Sequence, residues 1–198
     1  MSSAADNSGA TDAARAQAEL MLAMARRDKA ALAGLYDALS RPLYSLALKV
    51  TNDSADAQDI VQDVFLQLWQ KAADYTPARG SVFSWAATLT RNRAIDRVRM
   101  RRRRAEIIHE SAADIPGGDS GAHENTGADN LGLQEQATAI RTALTGLPHD
   151  QRSAIELAFF TGLTQQEIAG RLHEPLGTIK ARIRRGLLKL RDTLSHRP

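Results

Sequence analysis

The residues best placed to do chemistry in this chain are cations, set near aromatic and amide side chains. Residues 91–104 hold eight Arg and a single acid, and residues 171–197 hold eight Lys or Arg and two acids. Between them, residues 105–130 hold six acids and no Lys or Arg. Guanidinium and ammonium groups at this density neutralise phosphates, and Arg can also bond bidentately to guanine. Two cationic blocks around an acidic stretch point to two polyanion-binding surfaces with a repelling segment between them. In the first block, Phe83 and Trp85 precede Arg91, Asn92, Arg93, Arg97 and Arg99. Aromatics and cations on one element suit single-stranded nucleic acid, whose bases stack while its phosphates pair. Periodicity alone also fits Trp85, Ile95 and Val98 as core, so stacking stays open. The run 101–104 reads equally as a solubilising or a phosphate-attracting end.

Bond-breaking chemistry finds no support. The chain has no Cys, which excludes disulfides and thiolate metal sites. His109-Glu110 lacks the second histidine of a zinc-protease helix. There is no glycine-rich phosphate loop, and the five His are scattered. The expectation is a protein without catalytic residues, metal or cofactor.

The elements that must position these cations are helical. Of 198 residues, 43% are hydrophobic and only 5% aromatic, which suits small bundles built on Ala, Leu and Ile. No sustained period-two alternation occurs. Residues 1–11 are small and polar and read as disordered. One helix is expected from about Ala13 to Arg27 and a second from Lys29, with Pro42 opening the segment that follows. Asn52 and Asp53 break and cap the chain. A helix over about 54–73 buries Ile60, Val61, Val64, Phe65, Leu68 and Trp69. Its other side carries Asp59, Gln62, Asp63 and Gln67, either a solvated stripe or a docking surface for a basic partner. Residues 75–80 form a loop, and Ser81 caps a helix that runs through the arginines to about Arg104. Residues 105–130, with their Pro-Gly-Gly, are the best domain boundary. Helical periodicity resumes over roughly 131–146, 149–161, 164–173 and 175–195. The fold class expected is all-α: two small helical domains, 12–104 and 131–198, joined by a flexible acidic linker.

The second domain reads as a helix-turn-helix. Thr164 followed by Glu167 is a capping box. Ile168, Ala169 and Leu172 line the inner face of that helix, with Ala169 small where two helices cross. The next helix opens with Pro175 at its first position. Ile179, Ile183, Leu187, Leu190 and Leu194 form its buried stripe. The opposite face carries Lys180, Arg184 and Arg185, with Arg182 and Lys189 nearby. A helix buried on one side and cationic on the other fits the DNA major groove. A solvated surface helix and a membrane-surface helix are the alternatives.

Five segments together resemble the extracytoplasmic-function (ECF) group of sigma-70-type bacterial sigma factors. They are LYDALSRPLYSLA (35–47), DSADAQDIVQDVFLQLW (53–69), RNRAIDRVR (91–99), LPHDQR (147–152), and GLTQQEIA with PLGTIKARIRRG (162–169 and 175–186). The resemblance implies that Asp59, Gln62, Asp63 and Gln67 bind the coiled-coil clamp of core RNA polymerase. It implies that loop 75–81 and the helix after it capture the melted strand of the -10 promoter element, with Arg79, Ser81, Arg91, Asn92 and Arg97 as candidates. Lys180, Ala181, Arg184 and Arg185 match the positions that read the -35 element in duplex DNA, and Arg182 is grouped with them. The implied partners are core RNA polymerase, promoter DNA and an anti-sigma factor. His173 stands in a turn where the family often has Gly. The 26 residues of the linker reach at most about 90 Å, enough for elements on the order of 65 Å apart. A repressor using the helix-turn-helix alone is the main rival, and it has no need of residues 54–104. An enzyme acting on nucleic acid is a weaker one. No apolar run approaches the length of a membrane span, and MSSAADNSGATDAA has no signal-peptide pattern, so a cytoplasmic location without membrane insertion is expected.

Overall fold

The computed structural model describes residues 6–111, 138 and 140–195. They fall in two compact units, one within Ser8–Thr126 and the other within Gly127–Pro198. Among the described residues there are helices and no strand, as the helical periodicity and the lack of period-two alternation predict.

The first unit contains α1 (Asp6–Ala25) from Ser8 onward, α2 (Lys29–Thr51), α3 (Ser54–Gln70) and α4 (Val82–Ser111). Asp28 starts α2 by accepting the Ala30 and Ala31 N–H groups at 2.8 and 3.4 Å. Asn52 ends it in a left-handed conformation (φ 53°), and Asp53 caps α3 through the Asp56 N–H at 2.9 Å. The expected break at Asn52-Asp53 is therefore a C-cap and an N-cap back to back. α2, α3 and α4 pack against one another over Leu35, Leu39, Leu43, Val64, Leu68 and Val82, all fully buried. The apolar face expected of α3 is the face that is buried, with Trp69 half-exposed at its end.

In the first unit four expectations need correction. Pro42 opens no segment: it lies inside α2. The ring costs one bond of the helical ladder, but Leu35, Leu39, Leu43 and Ala47 form one buried row across it and hold both sides in register. α1 starts at Asp6, taking in residues 6–11, because Asp and Ser-rich starts also suit a helix N-terminus; residues 1–5 lie outside the described residues. α3 ends at Gln70, and Ala72–Asp74 and Pro77–Arg79 form two single 3-10 turns before α4. α4 continues past Arg104 to Ser111, since AEIIHES contains good helix formers that a reading by charge assigns to the linker. Residues 112–130 of that linker lie outside the described residues.

The second unit contains α5 (residues 140–145), α6 (His149–Phe160), α7 (Gln165–Leu172) and α8 (Leu176–Ser195). Its core is Ala154, Ile168, Ala169, Ile179 and Ile183, flanked by Leu157, Leu163, Leu172 and Leu176. The expected stripe on α8 is only half right. Ile179 and Ile183 are buried, but Leu187 is 52% exposed and Leu194 40%. Two steps of four residues drift about 80° around a helix, whereas seven residues return to within about 20°. The position that stays in line with Ile179 is Gly186, and it faces α6 so closely that a Cβ there would meet Ile155 Cδ1 at 2.6 Å.

Candidate nucleic-acid interface

The second unit builds a cationic helix from the turn upward. Thr164 accepts the Glu167 N–H at 3.2 Å, and Glu167 accepts the Thr164 N–H at 2.6 Å, completing the expected capping box. α7 ends at His173, whose backbone is left-handed (φ 53°). The Glu174 N–H then donates to the Ala169 carbonyl at 3.0 Å, closing the helix end. The Pro175 carbonyl accepts the Thr178 and Ile179 N–H groups, so Pro175 stands just before α8 rather than at its first position. Beyond it, Lys180, Arg184 and Arg185 are exposed and Ala181 is half-buried beside them, while Ile179 and Ile183 face the core. The Arg185 Nε–H donates to the Ala181 carbonyl at 3.3 Å, which lays that side chain along the helix surface.

Arg182 parts from this group. Its guanidinium pairs with Asp150 on α6 and with Glu174 in the turn, both at 3.0 Å, and its side chain is 20% exposed. It ties the start of α8 to α6, a positioning role that leaves its donors engaged.

In the first unit, Asp59, Gln62 and Asp63 lie exposed along α3, with Gln67 half-buried. Asp59, Asp63 and Gln67, together with Asp53 and Asp56, face α4 through a ladder of polar contacts and ion pairs. Arg93 donates to Asp63 at 3.1 Å and to Gln67 at 3.3 Å. Arg97 pairs with Asp56 at 2.5 Å and reaches Asp59 at 4.0 Å. Arg101 pairs with Asp56 at 3.3 Å and Asp53 at 3.7 Å, and donates to the Thr51 carbonyl at the end of α2. Arg97, expected on nucleic acid, is thus half-buried against carboxylates. Arg91 and Asn92 lie elsewhere on α4, half-buried and exposed. Burial, and then the nearby charge of Arg99, lower the Arg91 pKa from its ordinary value.

The loop before α4 is ordered by side chains. The Tyr75 and Trp85 rings stack with centroids 6.0 Å apart and planes 10° from parallel. The Tyr75 hydroxyl donates to the Gly80 carbonyl at 3.2 Å. Ser81 accepts the Ser84 N–H at 3.1 Å, so the expected cap is present. Arg79 is exposed on the loop. Among the described residues no three metal-ligating side chains cluster, and no helix is long and apolar enough to cross a membrane.

Residues 35–104 match the family profile of Sigma-70 region 2, and residues 143–192 match Sigma-70, region 4. The ECF RNA polymerase sigma factor SigK of Mycolicibacterium vanbaalenii is 37% identical over 175 residues, covering 88% of this chain and 87% of that protein. The chain belongs to the ECF group of sigma-70-type sigma factors. SigK of Mycobacterium tuberculosis H37Rv is 32% identical over 177 residues, covering 88% of this ECF sigma factor and 91% of its relative. Among solved structures, Rhodobacter sphaeroides SigE in complex with the anti-sigma ChrR is 32% identical, covering 89% of this chain and 96% of that one, with a TM-score of 0.45.

The roles of several residues of this ECF sigma factor escape a reading by sequence. Arg93 and Arg101 complete the ladder, and their signal is spacing: arginines at 93, 97 and 101 repeat every four residues, as carboxylates at 53, 56, 59 and 63 repeat every three or four. Leu66 is 56% exposed three residues after Asp63, an apolar side chain inside the acidic and amide stripe. Its signal is that it falls off the row formed by Val61, Val64, Phe65 and Leu68. Tyr75 sits in a loop, where no periodicity marks a partner.

Proposed function

We propose that this chain is the promoter-recognising sigma subunit of bacterial RNA polymerase, acting as a transcription initiation factor and not as an enzyme. The observation that carries the proposal is that regions 2 and 4 both match, in that order, on one chain: 35–104 and 143–192. In the division of labour we propose, α3 docks on the coiled-coil clamp of the polymerase through Asp59, Gln62, Asp63 and Gln67, with Leu66 supplying apolar area at the centre. Loop 75–81 and the exposed side of α4 take the melted -10 strand through Arg79, Ser81, Arg91 and Asn92. Arg97 supports that surface from behind by fixing α4 on α3. Opening the duplex costs a few kcal/mol of unstacking per extruded base, and capture of the unstacked strand offsets it without hydrolysis. The second unit anchors upstream, with Lys180, Ala181, Arg184 and Arg185 of α8 in the major groove of the -35 element.

Two further features belong to this reading. An anti-sigma factor that occludes one or both units is the proposed regulator; a relative 32% identical is described as a complex with one. The proposed location is the cytoplasm, where polymerase and promoter are. The decisive experiment adds the purified protein to core RNA polymerase and assays run-off transcription from a library of genomic promoter fragments. Specific transcripts dependent on the protein are expected. Duplex binding without any transcript would favour a repressor built on the same helix-turn-helix.

A further inference from the structure

The segment between α3 and α4 is short, exposed and yet internally braced. Residues 76–80 are all exposed. Two 3-10 turns fold it, closed by the Tyr75 N–H on Ala72, the Arg79 N–H on Thr76 and the Gly80 N–H on Pro77, at 3.3, 2.9 and 3.1 Å. Gly80 then takes φ 124° and ψ 177°, a backbone region essentially restricted to glycine. Nothing lies within 4 Å of where its Cβ would be, so glycine is needed there for conformation and not for space. The Tyr75 hydroxyl holds the Gly80 carbonyl at 3.2 Å, and the Tyr75 ring lies on Trp85 in the first turn of α4. A side chain from the start of the loop thus fixes both its far end and the helix that follows. Both rings are half-buried, whereas residues 76–80 are exposed.

We infer that Tyr75 and Trp85 are a staple that preorganises the loop, and that this staple sets the base preference of strand capture. They are positioning residues: Tyr75 lies over one face of Trp85 and each ring braces the other. The inference rests on the reading that loop 75–81 captures single-stranded DNA. Its physical content is that a loop already held in its binding shape loses less conformational freedom on binding, and holds its recognition groups in one arrangement. Without the staple, several loop shapes coexist, each accepting different bases, and discrimination falls before gross affinity does.

The test uses holoenzyme reconstituted from core RNA polymerase and the full chain. The probe is a single-stranded DNA library with a randomised window, sequenced before and after retention. Tyr75→Ala should flatten the enrichment of the preferred sequence by about tenfold, with core binding and melting temperature near wild type. Tyr75→Phe keeps the ring stack and loses the hydroxyl bond; it should flatten enrichment by about threefold. Gly80→Ala disturbs the same loop from its other end and should act like Tyr75→Ala. Wild-type enrichment in both Tyr75→Phe and Gly80→Ala would overturn the staple, even if Tyr75→Ala failed to fold. Enrichment that falls only in step with melting temperature would reduce Tyr75 to a stabilising residue and overturn it too. A control separates this failure from failure of the parent reading. If Arg79→Ala leaves the library profile untouched as well, loop 75–81 does not capture the strand, and both readings fall together.

Discussion

His173 occupies a left-handed position that glycine adopts without steric cost, and it closes α7 at the turn of the helix-turn-helix. His173→Gly is therefore expected to raise stability by about 0.5–1 kcal/mol, read as a shift in the urea midpoint without change in DNA binding. Gly186 is the opposite case. A methyl group there meets Ile155 at 2.6 Å, so Gly186→Ala should destabilise by about 1–3 kcal/mol despite the better helix propensity of Ala. The arginines of α8 divide by their partners. Arg185→Ala should cost about 1–3 kcal/mol at one base position if it reads a base, or lower binding evenly across sequences if it holds a phosphate. Arg182→Ala removes the shared partner of Asp150 and Glu174, and should lower stability by about 1 kcal/mol while leaving sequence preference unchanged. Binding profiles over a set of single-base variants of the -35 duplex, run beside urea titrations, separate these outcomes.

At the scale of elements, the ladder between α3 and α4 joins the proposed polymerase surface to the proposed strand-capturing helix. Its central carboxylate, on Asp56, is 16% exposed and takes both Arg97 and Arg101. Arg97→Ala leaves Asp56 short of its shortest partner, and should cost about 1–2 kcal/mol in urea unfolding. Arg93→Ala, at an exposed pair, should cost less than about 1 kcal/mol. A larger loss from Arg93→Ala than from Arg97→Ala would contradict this ranking. The elements themselves were legible because capping and periodicity are local: Asp53, Thr164 and the buried face of α3 follow from neighbours within one turn. The errors arose where a tertiary contact outweighed a local rule. The buried row around Pro42 carries α2 through a proline, and the approach of α6 puts Gly186 where a leucine stripe was expected. The candidate site was legible as two cationic helices, but not in how its charges are shared. Spacing places Arg93, Arg97 and Arg101 on one face without revealing that α3 presents carboxylates to it.

At the scale of the whole molecule, the two units carry separate surfaces and their losses should be separable. Asp63→Arg removes the Arg93 pair and reverses a charge in the α3 stripe; it should weaken core binding while leaving binding of the -35 duplex by α8 intact. Loss of both in pull-down and duplex-binding assays would contradict the division of labour. The ladder has one more consequence, for ions in solution. Each phosphate neutralised on a single strand releases condensed counterions and adds about 0.7 to the slope of log affinity against log salt. Eight arginines in residues 91–104 would suggest a steep slope. At least three of them, Arg93, Arg97 and Arg101, are already neutralised by carboxylates of the same chain. Strand binding by this segment should therefore tolerate salt better than its composition implies, with a slope shallower by about 2 or more.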